Sequence, residues 1–185
     1  MSATTQQDQR ATLALSMLAV LYALGFTNLF LRSSLGILAP TIASEMQLSP
    51  ETLSLVASSF FFAYALMQIP SGMLLDRFGA RGTLSTLLLF TTAGAALFSF
   101  AESSAELILA RVLMGIGCAG IFSGAFFVIN QWVAPEKVVT QSGILNSFAA
   151  IGGLCATAPL AALITFYPWR DAFLAFTAGV AVLLV

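Results

Sequence analysis

Long apolar runs separated by short polar turns dominate the chain. The runs cover residues 12–42, 52–75, 83–101, 105–133, 139–167 and 171–185. An α-helix needs about 20 residues to cross the hydrocarbon core of a bilayer, and most of the runs reach or exceed that length. The ten-residue alternation of membrane β-strands is absent from them. The pattern therefore predicts an all-α membrane protein with six transmembrane helices joined by short turns.

The composition fits a chain that uses lipid as its solvent. Hydrophobic residues make up 59% of it and charged residues 8%, against roughly half and about a quarter in a typical soluble domain. A soluble enzyme is excluded on this basis. The net charge of −1, without a basic patch, argues against a nucleic-acid partner. The chain has no His, and both Cys118 and Cys155 lie inside apolar runs, so we expect no disulfide, metal site or cofactor.

The placement of charged residues predicts the orientation in the membrane. Residues 1–11 are polar and lack a signal-peptide pattern, so we expect a cytoplasmic tail followed by a six-helix bundle at 12–185. With the tail inside, the inner segments hold four basic residues, Arg10, Arg77, Arg81 and Lys137. Arg170 is then the only basic residue in the outer turns. This positive-inside bias predicts a multi-pass protein of the plasma (inner) membrane with a cytoplasmic N-terminus.

The sixth run predicts that the chain works together with a second bundle. It covers residues 171–185 and stops at AVLLV without a helix cap or a basic stop. We therefore expect the chain to be part of a longer protein that carries a second six-helix half. The alternative is a six-helix protein that dimerises.

A charged turn joins the second and third runs. Gly72, Asp76, Arg77, Gly79 and Arg81 form the pattern G-x-x-x-D-R-x-G-x-R. Gly72 would let a neighbouring helix approach closely, and Gly79 permits a tight reversal with positive φ. This pattern resembles the signature turn of the major facilitator superfamily between its second and third helices. The resemblance implies a gating turn that latches two bundles together on the cytoplasmic side, whereas the alternative is a generic positive-inside loop.

Two further motifs extend the resemblance over essentially the whole chain. They are R-x-x-x-G-x-G in the fourth run and WR-x-x-F before the sixth, formed by Arg111, Gly115 and Gly117 and by Trp169, Arg170 and Phe173. The resemblance implies the N-terminal half of a twelve-helix transporter that works by rocker-type alternating access around a midplane site. Pro159 in the fifth run additionally predicts a bend.

Arg32 is the main candidate for substrate binding. It lies deep in the first run, where a charge is costly and normally faces a cavity or a partner. An interfacial position is the alternative, but GILAPTIA continues the apolar pattern beyond it. A guanidinium matches the geometry of a carboxylate or phosphate. Together with QIPSGMLLDRFG in the second run, it resembles the organic-anion branches of the superfamily, which include sugar-phosphate antiporters and anion:cation symporters. The resemblance implies that Arg32 contacts the anionic group of a small organic anion.

Three positions depart from those branches. The phosphate-ester antiporters carry a lysine where Gln68 stands, so a carboxylate or sugar acid is favoured over a phosphate ester. The sugar-acid symporters carry acids at the positions of Leu31 and Cys118, and none of the eight acids lies at mid-membrane in the predicted spans. The coupling is therefore open among three schemes: exchange against a counter-anion, a coupling proton carried by the second half, or downhill transport.

Four further residues are weaker candidates for the site. Asn28 lies one turn before Arg32, and Tyr64 and Gln68 lie one turn apart in the second run. Each could offer hydrogen bonds to a substrate or simply contact a neighbouring helix. Arg111 could line the outer cavity or pair with Glu106.

Two other functions would use the same six helices. A drug or multi-substrate exporter of the superfamily often carries an acid in the first helix and G-x-x-x-G-P in the fifth, whereas this chain has Arg32 and places Gly153 six residues before Pro159. A non-transporting membrane ligand sensor would need a cytoplasmic surface for a partner, and the short loops offer little. A secondary active transporter of a small organic anion remains the preferred prediction.

Overall fold

Helices account for the regular structure of the chain. A computed structural model describes the backbone of residues 3–183 and the side chains of residues 15–183. The helices are α1 Ala3–Glu45, α2 Pro50–Phe100, α3 Ser104–Ala119, α4 Ile121–Trp132, α5 Pro135–Cys155, α6 Ala158–Phe166 and α7 Trp169–Val182. No strand occurs between residues 3 and 183, which confirms the predicted all-α class.

The seven helices form the six predicted spans. The 51-residue helix α2 is interrupted at Gly79, where φ is 74° and ψ is 171°, so it consists of two limbs, 50–78 and 80–100. Gly120 alone separates α3 from α4, and these two helices form the fourth span. Helices α5 and α6 form the fifth span. The positive φ at Gly79 confirms the predicted tight reversal.

Length and composition support membrane insertion of most of these helices. Within the described part of the chain, four helical segments are long and apolar enough to cross a bilayer: Leu15–Glu45, Pro50–Phe100, Ser104–Trp132 and Pro135–Cys155. The second of them contains two spans because of the kink at Gly79. Helix α1 already begins at Ala3, so most of the segment predicted as a tail (residues 1–11) continues the first helix. Its cytoplasmic placement stays a prediction.

The fifth span bends where the sequence predicts. Helix α5 ends at Cys155 and α6 begins at Ala158, with Pro159 in its first turn. Thr157 between them has φ −107° and ψ −114°, far from helical values. Since proline has no N–H to donate back along the helix, the chain breaks its hydrogen-bond ladder just before this residue.

Glycines let the fourth span pack backbone to backbone on the others. A Cβ at Gly117 would lie 2.5 Å from the carbonyl oxygen of Leu87 on the second limb of α2. A Cβ at Gly115 would collide with the carbonyl of Phe60 on the first limb. Gly72 behaves differently: nothing in the described chain lies within 4 Å of a Cβ built there. The close helix approach expected at Gly72 is therefore not found inside this bundle.

A polar cluster joins three helices at the end of the bundle opposite the Gly79 kink. Trp169 donates from Nε1 to a carboxylate oxygen of Glu45 over 2.6 Å, and Arg170 pairs with the other oxygen at 3.3 Å. Arg170 also donates to the carbonyl oxygen of Ala101 at 2.8 Å. The WR-x-x-F motif thereby fixes the end of α1, the helix that carries Arg32, and Phe173 packs on Phe98 beneath it.

Candidate functional site

Arg32 lies beside two aromatic rings of α2. Its Cζ is 5.3 Å from the ring centroid of Phe61 and 5.9 Å from that of Tyr64. These cation–π contacts orient the guanidinium without neutralising its charge. The side chain is exposed, and among the described residues no carboxylate lies within ion-pair distance of it. The guanidinium therefore keeps its donors available for an anionic ligand.

A cavity of about 420 Å³ between α1 and α2 contains this guanidinium. Its charged lining residues are Arg32 and Arg111, its hydroxyl groups come from Ser33 and Ser54, and the rest of its lining is apolar and includes Phe61. This volume suits a small molecule. An apolar wall with a few polar groups and two cations is an arrangement that can orient a compact anion.

Arg111 forms the buried side of the cavity. It is 1% exposed, and its Nη1 donates to the carbonyl oxygen of Leu31 at 3.1 Å. Its Cζ lies 4.4 Å from the ring centroid of Phe60, and its buried Nε has no hydrogen-bond partner among the described residues. Glu106 is engaged elsewhere, in a capping box with Ser103 at the start of α3. Arg111 is among the residues that line the cavity, and within residues 15–183 it forms no ion pair with Glu106.

The remaining candidates occupy different places. Tyr64 is half-buried and stacks near Arg32, so these two residues come together. Asn28 is fully buried and donates from Nδ2 to the carbonyl oxygen of Cys118 at 2.7 Å, which ties α1 to α3. Asn28 and Gln68 are not among the residues that line the cavity.

The positions where related symporters would carry acids are buried in the bundle core. Leu31 and Cys118 are both 0% exposed. Cys118 is a free thiol, and so is Cys155. These two positions therefore contribute packing, and the cavity receives no negative charge from the residues that line it.

The predicted gating turn forms a charged end of the bundle. Asp76, Arg77 and Arg81 are exposed around the kink at Gly79, and the guanidinium of Arg77 lies 5.4 Å from the ring centroid of Phe78. None of these three side chains forms an ion pair within residues 15–183. Their charges are accessible to solvent, headgroups or another bundle.

Sequence analysis missed Phe61, Ser33 and Ser54 as lining residues. A helical signal for two of them existed, because Ser54 and Phe61 lie seven residues apart and Phe61 lies three before Tyr64, on one face of α2. Ser33 directly follows Arg32 and carries no such signal.

Comparison with known proteins identifies the relatives of this bundle. Residues 21–185 match the model of the Major Facilitator Superfamily. The protein named "Probable sulfoacetate transporter SauU" from Cupriavidus necator is 31% identical over 169 residues, which cover 91% of this chain and 39% of that protein. The "Hexuronate transporter" of Bacillus subtilis is 29% identical over 163 residues, which cover 86% of this chain and 38% of that protein.

A solved structure shows the same fold. The proton:xylose symporter XylE, bound to 6-bromo-6-deoxy-D-glucose, superposes with a TM-score of 0.79 over 95% of this chain and 44% of XylE, at 14% sequence identity. At this identity the likeness concerns the fold alone. The chain spans roughly two-fifths of the length of the relatives it matches.

Proposed function

Because the chain belongs to the Major Facilitator Superfamily, we propose that its complete protein is a secondary active transporter of a small organic anion. The observation that carries this proposal is the guanidinium of Arg32, which is exposed in a cavity that no acid among residues 15–183 lines. The names of two relatives, a sulfoacetate and a hexuronate transporter, support the same class of substrate. A carboxylate or sugar acid fits better than a phosphate ester, since Gln68 is neutral.

In this proposal Arg32 is the principal ligand of the anion. The rings of Phe61 and Tyr64 hold its guanidinium, and a bidentate bond to a carboxylate would use its planar fork. Gln68, half-buried one turn beyond Tyr64, would offer a hydrogen bond when the cavity closes. Asn28 supports the site indirectly, because its bond to the carbonyl of Cys118 fixes the helix that carries Arg32.

Transport would proceed by rocker-type alternating access. The described bundle would pair with a second six-helix half, from the same longer chain or from a dimer partner, and enclose the anion near the bilayer midplane. The gating turn at Gly72, Asp76, Arg77, Gly79 and Arg81 would make and break contacts with that second half. A coupling proton or a counter-anion would complete the cycle. The positive-inside pattern supports an orientation in which this turn and the N-terminus would lie in the cytoplasm, with the protein in the plasma (inner) membrane.

Uptake by the complete protein in proteoliposomes tests the proposal. Arg32→Ala removes the charge and Arg32→Lys keeps it without the planar fork, so we expect both variants to lose uptake of the organic anion while still inserting into the membrane. Lys137→Ala is the matched control, because it removes an exposed cation that does not line the cavity. Wild-type uptake by both Arg32 variants would refute the role of Arg32.

A further inference from the structure

Gly36 lies one helical turn after Arg32 on the same face of α1. The two residues are four positions apart, a spacing that makes their side-chain positions neighbours on the surface of a helix. Both residues are exposed, and both line the cavity of about 420 Å³ between α1 and α2. Position 36 therefore borders the space beside the guanidinium of Arg32.

Packing within the bundle does not account for a glycine at this position. A Cβ built at Gly36 has no neighbour within 4 Å among the described residues, whereas a Cβ at Gly117 would meet backbone atoms of α2 at 2.5 Å. Gly36 also lies inside the helix Ala3–Glu45, where an alanine would be more stable than a glycine. The described bundle therefore has no packing use for the space at Gly36, although the glycine weakens the helix.

The cavity extends from Arg32 in one direction along α1. Its lining on α1 begins at Arg32 and ends at Ala39, and no described residue of α1 before Arg32 belongs to it. Its lining on α2 lies between Leu53 and Phe61, near the start of that helix. The seven residues from Arg32 to Ala39 span about 10 Å of helix. An anion bound through its charged group at Arg32 would therefore extend its body past Gly36.

We infer that Gly36 is a specificity-determining residue of the anion site. The space left by its missing side chain accommodates the body of the anion beside the guanidinium of Arg32, and this space sets the largest anion that the site accepts. The inference rests on the proposed function and adds to it a residue that carries no charge. A side chain at position 36 would exclude a long anion by steric overlap, whereas a short anion would still bind at Arg32.

A series of hydroxy acids with one carboxylate each tests the inference on the purified complete protein. Glycerate, threonate and gluconate share the anionic group and differ in the length of the hydroxylated chain attached to it. We expect titration calorimetry to show that Gly36→Leu weakens binding increasingly with chain length, by at least about tenfold for gluconate. Glycerate should lose less than about twofold. Equal loss for the three acids, or no loss for any of them, would overturn the inference.

Gly36→Ala and Gly179→Leu complete the design. Gly36→Ala adds a single methyl group, so we expect a smaller loss for gluconate, and it decides the test should Gly36→Leu fail to fold. Gly179 on α7 is the matched control: it is exposed, has no described neighbour within 4 Å of its Cβ and does not line the cavity of Arg32. Gly179→Leu should bind all three acids as the wild type does. A loss equal to that of Gly36→Leu would overturn the inference.

Melting temperatures separate a role in specificity from a role in packing. Alanine and leucine favour the helix more than glycine does, so both variants at position 36 should melt no lower than the wild type in the absence of ligand. Close packing of Gly36 against a second bundle would give the opposite result. The variants would then melt at lower temperature and lose all three acids in equal proportion, which would overturn the inference.

The outcomes also separate this inference from the proposed function. Anion binding that is lost in Arg32→Ala but insensitive to substitution at position 36 would retain the anion transporter and refute only the role of Gly36. Absence of binding by every anion would refute both.

Discussion

Arg111 donates a hydrogen bond from Nη1 to the carbonyl oxygen of Leu31 across 3.1 Å, so the fourth span holds the backbone directly before Arg32. One turn earlier on α1, Asn28 bonds to the carbonyl of Cys118 on the same partner helix. These two ties connect the first and fourth spans within one bundle. The helix that carries the proposed anion ligand is therefore bonded to the fourth span at Asn28 and at Leu31.

Close packing of the fourth span predicts a large effect of Gly117→Ala. The added Cβ would lie 2.5 Å from both the carbonyl of Leu87 and the amide nitrogen of Thr91, which are backbone atoms that cannot move aside. We expect a loss of about 1–3 kcal/mol in stability, measured as a lower melting temperature in detergent. Gly143→Ala is the control, since a Cβ built at Gly143 has no neighbour within 4 Å in the part of the chain that the structure describes. Equal melting temperatures for the two variants would contradict this packing.

The kink between the two limbs of α2 predicts that Gly79→Ala is destabilising for a different reason. Space is not the problem, because no described residue lies within 4 Å of a Cβ built at Gly79. The backbone conformation is the problem, because φ 74° combined with ψ 171° is a region that essentially only glycine adopts, and an alanine held there costs about 1–3 kcal/mol. Gly82→Ala, three residues on with a helical backbone, should have little effect, and a loss as large as that of Gly79→Ala would contradict the explanation.

The polar cluster at the end of α1 predicts that Glu45 stabilises the bundle. Glu45→Gln removes the ion pair with Arg170 and weakens the hydrogen bond from Trp169. Both charged side chains are partly exposed, so we expect a cost of no more than about 1 kcal/mol from the ion pair. A double-mutant cycle with Arg170→Gln measures it. A coupling free energy of zero would show that the ion pair between Glu45 and Arg170 does not stabilise the bundle.

The proposed orientation predicts which engineered thiols are accessible from each side. Arg81→Cys lies at the gating turn and Glu102→Cys at the opposite end of the bundle, and both residues are exposed. In intact cells a membrane-impermeant thiol reagent should label the cysteine at position 102 and spare the one at position 81. The native thiols serve as the background, with Cys118 fully buried. The reverse labelling pattern would contradict the proposed orientation and indicate the opposite one.

Hydropathy was sufficient to predict the six spans. Each apolar run must form a helix because its backbone N–H and C=O groups have to hydrogen-bond to one another. The kink at Gly79 was predictable too, since a glycine followed closely by charge marks a reversal. The break at Gly120 was not, because it depends on how α3 fits between the limbs of α2. The partner of Arg111 was equally hidden: Leu31 lies 80 residues away in the sequence, and no local pattern encodes that contact.

The candidate site, like the fold, was predictable only in part from the sequence. A charge inside an apolar run was enough to single out Arg32, because burying it is costly. The sequence did not show that Asn28 turns toward the carbonyl of Cys118, 90 residues away, and so lies off the cavity. Nor did it show that Phe61 is closer to Arg32 than Tyr64 is. These facts depend on the rotation of each helix about its own axis.

The measurement that tests the central claim most directly is anion binding by the purified complete protein, with wild type beside Arg32→Ala. Sugar acids, small carboxylates, phosphate esters and nitrate would be screened by thermal stabilisation, because a ligand that prefers the folded state raises the melting temperature. We predict that organic acids stabilise the wild type and leave Arg32→Ala unchanged. Stabilisation of both proteins by lipophilic cations, with no response to any anion, would contradict the account and favour a drug exporter.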